Sequence, residues 1–395
     1  MMNNMHPDLN PFAPGSGLAP PALVGRQGEI DAFDLVIARS RAKQPSRGIV
    51  LHGLRGVGKT VLLNQFREQA ERADWFIVEL EGRASETGRE VVRHKLGRSL
   101  LHAASRASRS KHISQRVRDA LGTVKSFSVS LGVASIDIGI DAAPGRGDSG
   151  QIEVDFEELI EDLAPALRDS SRAFGLFIDE MQDLDSELLV ALLAAQHRAG
   201  QKGWPFYIVA AGLPALPSVL SGARSYAERL FDYRTVGPLD DRAAAEALVI
   251  PAKERGVSFH SAALEALLKA ADGYPYFLQT FGQAAWDAAS SREITLGDAT
   301  TAIHNGNAEL DMGFFPARWD RATPAERSYL RAMAAFDDEA PSTGRIAEKL
   351  GTTLAGLSTV RQSLIEKGIV YAPERGRIAF TVPGMPAFIR RQFQD

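Results

Sequence analysis

Gly53-Leu54-Arg55-Gly56-Val57-Gly58-Lys59-Thr60 is the stretch that decides how the rest of the chain is read. It fits the phosphate-binding P-loop pattern G-x-x-x-x-G-K-[ST]. An apolar run, Gly48-Ile49-Val50-Leu51-His52, precedes it and reads as a buried strand, and Val61-Leu62-Leu63-Asn64-Gln65-Phe66 after it reads as a helix. A strand delivers the chain to a tight turn, where glycines let successive N–H groups converge on phosphate oxygens, and the helix adds its positive N-terminal end. Gly53, Gly56 and Gly58 give the turn, Lys59 reaches the β- and γ-phosphates, Thr60 offers its hydroxyl to Mg²⁺, and Val61 opens the helix. Average composition gives such a match by chance in about one chain in a hundred of this length.

The 395 residues have room for two or three domains, and 45% hydrophobic with 24% charged content is ordinary for a globular protein. A formal net charge of -4 gives no global attraction to nucleic acid, so any such surface is local. The absence of cysteine excludes disulfides, thiolate zinc sites and thiol catalysis, and agrees with a cytoplasmic location. The eight histidines show no metal-ligand spacing, and no apolar run approaches the ~18 residues of a membrane span. Residues 1–22, rich in Pro, Asn and Gly, read as an irregular N-terminal arm rather than a signal peptide.

Residues 23–239 read as the P-loop core. Leu23-Val24-Gly25-Arg26 opens a helix, with Val24 against a base and Arg26 near a nucleotide. After a second strand at residues 75–80, residues 84–155 read as an insertion of basic helices and a β-hairpin. Residues 83–125 hold eleven basic against three acidic side chains, and Ser126–Leu131 and Ala134–Ile140 alternate with period two around Gly132-Val133. Gly175-Leu176-Phe177-Ile178-Asp179-Glu180 is an apolar strand ending in two carboxylates. Asp179, at the carboxyl end of a strand beside the P-loop strand, would hold Mg²⁺, and Glu180 would polarise the attacking water as general base. Gln182 and Asp183 could contact the same water but read first as caps of the next helix. Residues 206–212 and 233–236 complete a parallel sheet covered on both faces, with ligand at its carboxyl ends.

Residues 240–312 read as four alanine-rich helices forming a lid, interrupted by Gly273-Tyr274-Pro275, where Pro275 starts a helix and reaches back towards the nucleotide. Residues 313–395 read as a winged helix-turn-helix of three helices and a two-stranded wing. On double-stranded DNA, the third helix would bring Arg361 and Gln362 to the groove, and Arg375 and Arg377 would touch phosphate. Eleven basic against nine acidic residues between Asp320 and Asp395 leave room for a protein partner instead.

Leu23-Val24-Gly25-Arg26, the P-loop, Phe177-Ile178-Asp179-Glu180, Gly273-Tyr274-Pro275 and the terminal winged helix together resemble the origin-recognition-like AAA+ and STAND ATPases. The resemblance runs from Leu23 over nearly the whole length apart from the insertion. It implies an α/β fold with an AAA+/ASCE parallel sheet, a helical lid closing on ATP with Mg²⁺, and assembly as a homo-oligomer or with a protein partner. It also implies that Gly25 and Arg26 face the nucleotide and that Arg229 stands roughly where an arginine finger would, so that Arg229 of a neighbouring subunit joins Glu180 and Lys59 in a catalytic set. Two departures stand out. Residues 206–212 end in alanines and glycine where a polar sensor is usual, and Tyr276 stands where many members carry a sensor arginine. Loss of one such donor lowers rate by about 10²-fold or more, so the expected protein is a slowly hydrolysing ATP-dependent switch acting on DNA. The alternative is a signalling or scaffold protein whose winged helix and insertion bind other proteins. A small-molecule kinase would use the same loop, but the Asp-Glu pair and the lid-like domain point away from it.

Overall fold

The computed structural model describes residues 5–83, 86–108, 115–133, 139–337 and 340–392. Five strands form the central sheet: β1 (Gly48–His52), β2 (Phe76–Glu81), β3 (Phe174–Asp179), β4 (Phe206–Gly212) and β5 (Phe231–Thr235), in the order β2-β3-β4-β1-β5. All neighbours are parallel. β4 is buried at every position and β1 and β3 at all but their last, as expected for strands covered on both faces. One expectation is corrected by this order: the strand ending in Asp179 is not beside the P-loop strand, because β4 lies between them. Adjacency of parallel strands is set by crossover helices, which a strand's own residues do not encode.

Helices α1 (Gln27–Arg41) and α2 (Lys59–Arg72) flank β1, and α3 (Glu86–Ser108), α4 (Gln115–Ser130) and α5 (Ile152–Asp169) stand between β2 and β3. α6 (Ser186–Lys202) leads to β4, and α7 (Leu216–Ala223) and α8 (Ala227–Leu230) lead to β5. Residues 126–130 are helical, so the expected hairpin does not form; residues 134–138, its other arm, lie outside the described residues. Leu121, Val124, Phe127 and Ser128 are all buried, and helical spacing puts them on the side facing α3 and α5. The Ser128 hydroxyl donates to Val124 O at 2.7 Å, which lets a serine lie inside a helix. Tertiary burial has overridden a period-two pattern. The region is part of the core, since Leu96, Leu100, Val124 and Phe127 join Val50, Val78, Leu176 and Ile178 of the sheet in one buried cluster.

The helical domain holds α9 (Asp241–Glu254), β6 (Ser258–Phe259), α10 (Ser261–Ala271), α11 (Pro275–Ala288), β7 (Glu293–Ile294) and α12 (Leu296–Glu309). Pro275 begins α11, and Thr295 and Asp298 form a capping box on α12. A π turn, Leu310–Phe314, connects to α13 (Pro316–Trp319). The C-terminal unit follows with α14 (Pro324–Ala334), α15 (Thr343–Lys349), α16 (Leu354–Glu366), the antiparallel pair β8 (Val370–Tyr371) and β9 (Ala379–Phe380), and α17 (Met385–Gln392). A bridge between Ser342 and Arg377 extends the pair. Among the described residues no helix is long and apolar enough to cross a membrane.

The N-terminal arm is irregular apart from a single turn at Pro7–Leu9, yet it is anchored. Phe12 is 2% exposed and packs on Gly282 of α11, whose missing Cβ makes the room. Asn10 donates to Gln283 O at 3.1 Å and to Asp287 at 2.9 Å, and Trp286 Nε1 donates to His6 O at 3.3 Å.

Candidate nucleotide site

The P-loop turn is built on glycine where the backbone demands it. Gly56 and Gly58 have φ of 83° and 93°, a region that L side chains avoid. Gly53 serves differently: a Cβ there would collide with Val236 O just beyond β5. The turn opens into a cavity of about 320 Å³, within the range of ligand sites. Gly56, Gly58, Lys59, Thr60 and Val61 line it, with Val24, Arg26, Asp179, Glu180 and Pro275. Ten of the residues expected at a nucleotide therefore converge on one space, drawn from the β1–α2 turn, the start of α2, the end of β3, the segment before α1 and the start of α11.

Gly25 and Arg229 do not line it. Gly25, at φ 67°, lets α9 approach, since a Cβ would come 2.6 Å from that of Ala243. Arg229 is exposed on α8. Arg26 reaches the wall, but its guanidinium is engaged, donating to Val57 O at 3.1 Å and Gly237 O at 2.5 Å. Its role here is to tie the P-loop to the end of β5.

Lys59 is 8% exposed and its ammonium donates to Leu54 O at 2.7 Å. Burial pulls its pKa down to about 8 against the favourable pull of Glu180 and Asp179. The Thr60 hydroxyl donates to Asp179 Oδ2 at 2.7 Å, so the two expected magnesium ligands are already in contact. Burial raises the Asp179 pKa, opposed by the Thr60 hydrogen bond. Converging amides, a buried ammonium and a Thr–Asp pair fit a magnesium nucleotide: Lys59 and the glycine turn would hold phosphates, Thr60 and Asp179 the ion.

Glu180 sits at φ 47°, a strained conformation for a non-glycine residue and of the kind concentrated at functional sites. Its carboxylate accepts from Arg55 at 3.1 Å and from Gln182 Nε2 at 2.7 Å. Gln182 is not a helix cap: its Oε1 accepts from Leu213 N at 3.0 Å, and a Cβ on Gly212 would run into that oxygen. The bare end of β4 thus makes room for a polar group supplied by its neighbour, next to where a sensor side chain was missing. Asp183 shares this corner, its pKa raised by burial and by Glu180.

Several site residues escape sequence reasoning. Arg55 lies at a variable position of the loop motif, and nothing in its spacing singles it out. Arg318, from α13, lines the cavity, as does Phe314. Residues 13–18 of the N-terminal arm wall its far side; Asn64 donates to Gly17 O at 3.4 Å. Separately, the C-terminal unit touches the P-loop: Arg55 N donates to Thr381 O at 3.0 Å, and Gly368 lies against the Arg55 side chain.

Residues 22–209 match the AAA ATPase domain family, and residues 312–389 match a domain of unknown function (DUF8462). No curated protein matches the chain. Among solved structures, a Walker-type ATPase of Pyrococcus abyssi is similar, with a TM-score of 0.59, 16% identity, and 93% of this chain and 96% of that chain covered. The RuvB Holliday junction branch migration motor of Thermotoga maritima gives 0.44 at 16% identity, covering 96% of this chain and 100% of that chain. The ORC1 protein of Aeropyrum pernix, solved in complex with DNA, gives 0.42 at 15% identity, covering 98% and 95%. Sheet order, P-loop turn and these likenesses agree: the chain has the P-loop AAA+ ATPase fold, and its residues 22–209 match the AAA ATPase domain family.

Proposed function

We propose that the chain is an ATP-dependent switch that hydrolyses slowly and moves its C-terminal unit between two arrangements. The observation that carries this reading is that one cavity wall is shared by three parts of the chain. The P-loop supplies Lys59, the helical domain Pro275 and Tyr276, and the connector to the C-terminal unit Arg318. Bound magnesium would screen the phosphate charge. Lys59 and the glycine amides hold the β- and γ-phosphates, and Glu180 takes the proton of the attacking water. Because Thr381 O already accepts from Arg55 N, any shift of the P-loop on binding acts directly on the C-terminal unit. Slow turnover fits a Glu180 restrained by Arg55 and Gln182, and a β4 end without a side chain of its own.

The C-terminal elements follow a winged-helix order, and in this reading α16 meets duplex DNA. Ser358, Thr359 and Gln362 are exposed on it and Arg375 stands at the hairpin tip. A specific observation favours the second output, a protein partner. Arg361 is half-buried and Arg377 donates to Ala340 O at 2.8 Å. In the insertion, Arg89 and Arg93 pair with Asp185 and Glu187, Arg116 with Asp169, and Arg146 with Asp162, so much of its excess charge is compensated.

The test is Lys59→Ala in the full chain. ATP affinity is expected to fall by about 10²-fold or more while the thermal unfolding profile is retained; ATP affinity equal to the parent's would end the phosphate-cradle reading.

A further inference from the structure

Arg318 carries a charge that the site as described so far does not use. It belongs to α13, a four-residue helix between the helical domain and the C-terminal unit, and its side chain lines the P-loop cavity. Its guanidinium donates to Phe314 O and lies 4.2 Å over the Phe314 ring. Among the described residues it forms no ion pair. The groups acting on it include two further cations, Arg55 and Arg321, with Tyr276 and Glu180 acting in the opposite direction. Burial is the main force lowering its pKa, to about 10. A half-buried guanidinium that lines one cavity with Lys59 and Arg55, without a carboxylate of its own, awaits an anion.

Its placement is also mechanically specific. Phe314 stacks on Tyr276 with ring centroids 4.7 Å apart and planes at 20°. Tyr276 N in turn donates to Gly56 O in the P-loop, at 3.3 Å. Loop, helical domain and connector are therefore linked by three consecutive contacts ending at the Arg318 guanidinium.

We propose that Arg318 binds the γ-phosphate of ATP within its own chain, supplying the cation that completes the hydrolytic site without a neighbouring subunit. The inference rests on the ATP-site reading above. In the step, water attacks the γ-phosphorus and gives its proton to Glu180. The bond from phosphorus to the β–γ bridging oxygen breaks, and ADP leaves with that electron pair as inorganic phosphate forms. Arg318 neutralises charge on the γ-phosphoryl and bridging oxygens as it develops, as a cis-acting arginine does in other P-loop enzymes. Loss of phosphate removes its partner, so the connector into the C-terminal unit distinguishes ATP from ADP directly.

The experiment compares the full-length chain with Arg318→Gln, measuring affinity for ADP, affinity for a non-hydrolysable ATP analogue, and turnover over a range of protein concentrations. The variant is expected to keep ADP affinity within about twofold, to bind the ATP analogue about tenfold more weakly, and to turn over about 10²-fold more slowly. Turnover per parent chain is expected to stay constant on hundredfold dilution, about the range over which a self-association equilibrium would shift. An unchanged ATP-to-ADP preference together with unchanged turnover would overturn the proposal, as would parent turnover that disappears on dilution. Arg318→Lys guards against a folding defect: it keeps the charge and should recover part of both losses, whereas values no better than those of Arg318→Gln count against a charge-based role. ADP that fails to bind the parent chain would instead overturn the site reading, and this inference with it.

Discussion

The nucleotide cavity and the C-terminal unit each enclose buried charge, and they treat it in opposite ways. In the C-terminal unit, Glu326 is 3% exposed and its carboxylate accepts from Lys367 at 2.6 and 2.9 Å, from Ser363 at 2.7 Å and from Thr323 N at 2.6 Å. Burial alone would raise its pKa, but these donors bring it down to about 2. In the cavity, Lys59 has a single backbone carbonyl and Arg318 another, while Arg55 shares Glu180 with Gln182. The first cluster is complete in itself and holds α14 against the end of α16. The second lacks its anion. Buried charge that is fully partnered stabilises a structure, whereas buried charge left unpartnered marks a place for a ligand.

The largest expected effect that would break this contrast lies at Glu180. Glu180→Gln leaves one oxygen to accept from Arg55 or from Gln182 and cannot take a proton, so turnover should fall by about 10³-fold with ATP still bound. Steady-state hydrolysis at saturating ATP measures it, and turnover close to the parent's would move the base elsewhere.

Next in size is the pH dependence of nucleotide affinity. The Lys59 pKa in the free site is lowered to about 8, so above that pH the empty site loses its proton and binding must restore it. ATP affinity should weaken by up to about tenfold per pH unit above pH 8, with matching proton uptake on calorimetry. For stability the sign is reversed, because the unfolded chain holds this proton more tightly: between pH 8 and the ordinary lysine pKa, the Lys59 contribution to the free protein's stability becomes more favourable. A flat affinity from pH 7 to 10 would contradict the lowered pKa of Lys59.

A smaller effect sharpens the other side of the comparison. Glu326→Gln strips Lys367 and Ser363 of their anionic acceptor and should cost about 1–3 kcal/mol, read as a lowered melting temperature of the C-terminal unit. Glu326 has a depressed folded pKa, so its stabilisation is present above the ordinary glutamate pKa and is lost as pH falls from about 4.5 towards 2. The parent chain should show this acid loss and Glu326→Gln should not.

The smallest effect concerns DNA. With Arg375 the exposed cation at the hairpin tip and Arg377 held by Ala340 O, few phosphates would be engaged. Any duplex binding should carry a shallow salt slope, about -2 to -3 in log–log form, reduced by about 1 in Arg375→Ala. No binding at low salt with ATP present would favour a protein as the output.

What the sequence determined by itself was local. The P-loop, the strands that bury both faces and Pro275 at a helix start depend on residues within one or two turns of each other, and chain order preserves those relations. Asp179 and Glu180 were legible because an apolar strand must end where the ligand edge of a parallel sheet begins. Packing across the whole chain settled the rest. It put β4 between the strands of the P-loop and Asp179, made a helix of residues 115–130, and gave the space left by Gly212 to Gln182. It also brought Arg318 from more than 250 residues away, and the N-terminal arm, to the same cavity. No periodicity or spacing reports such encounters, because they follow from which apolar faces bury one another across the whole chain, and a side chain's partner in space is independent of its neighbour in sequence.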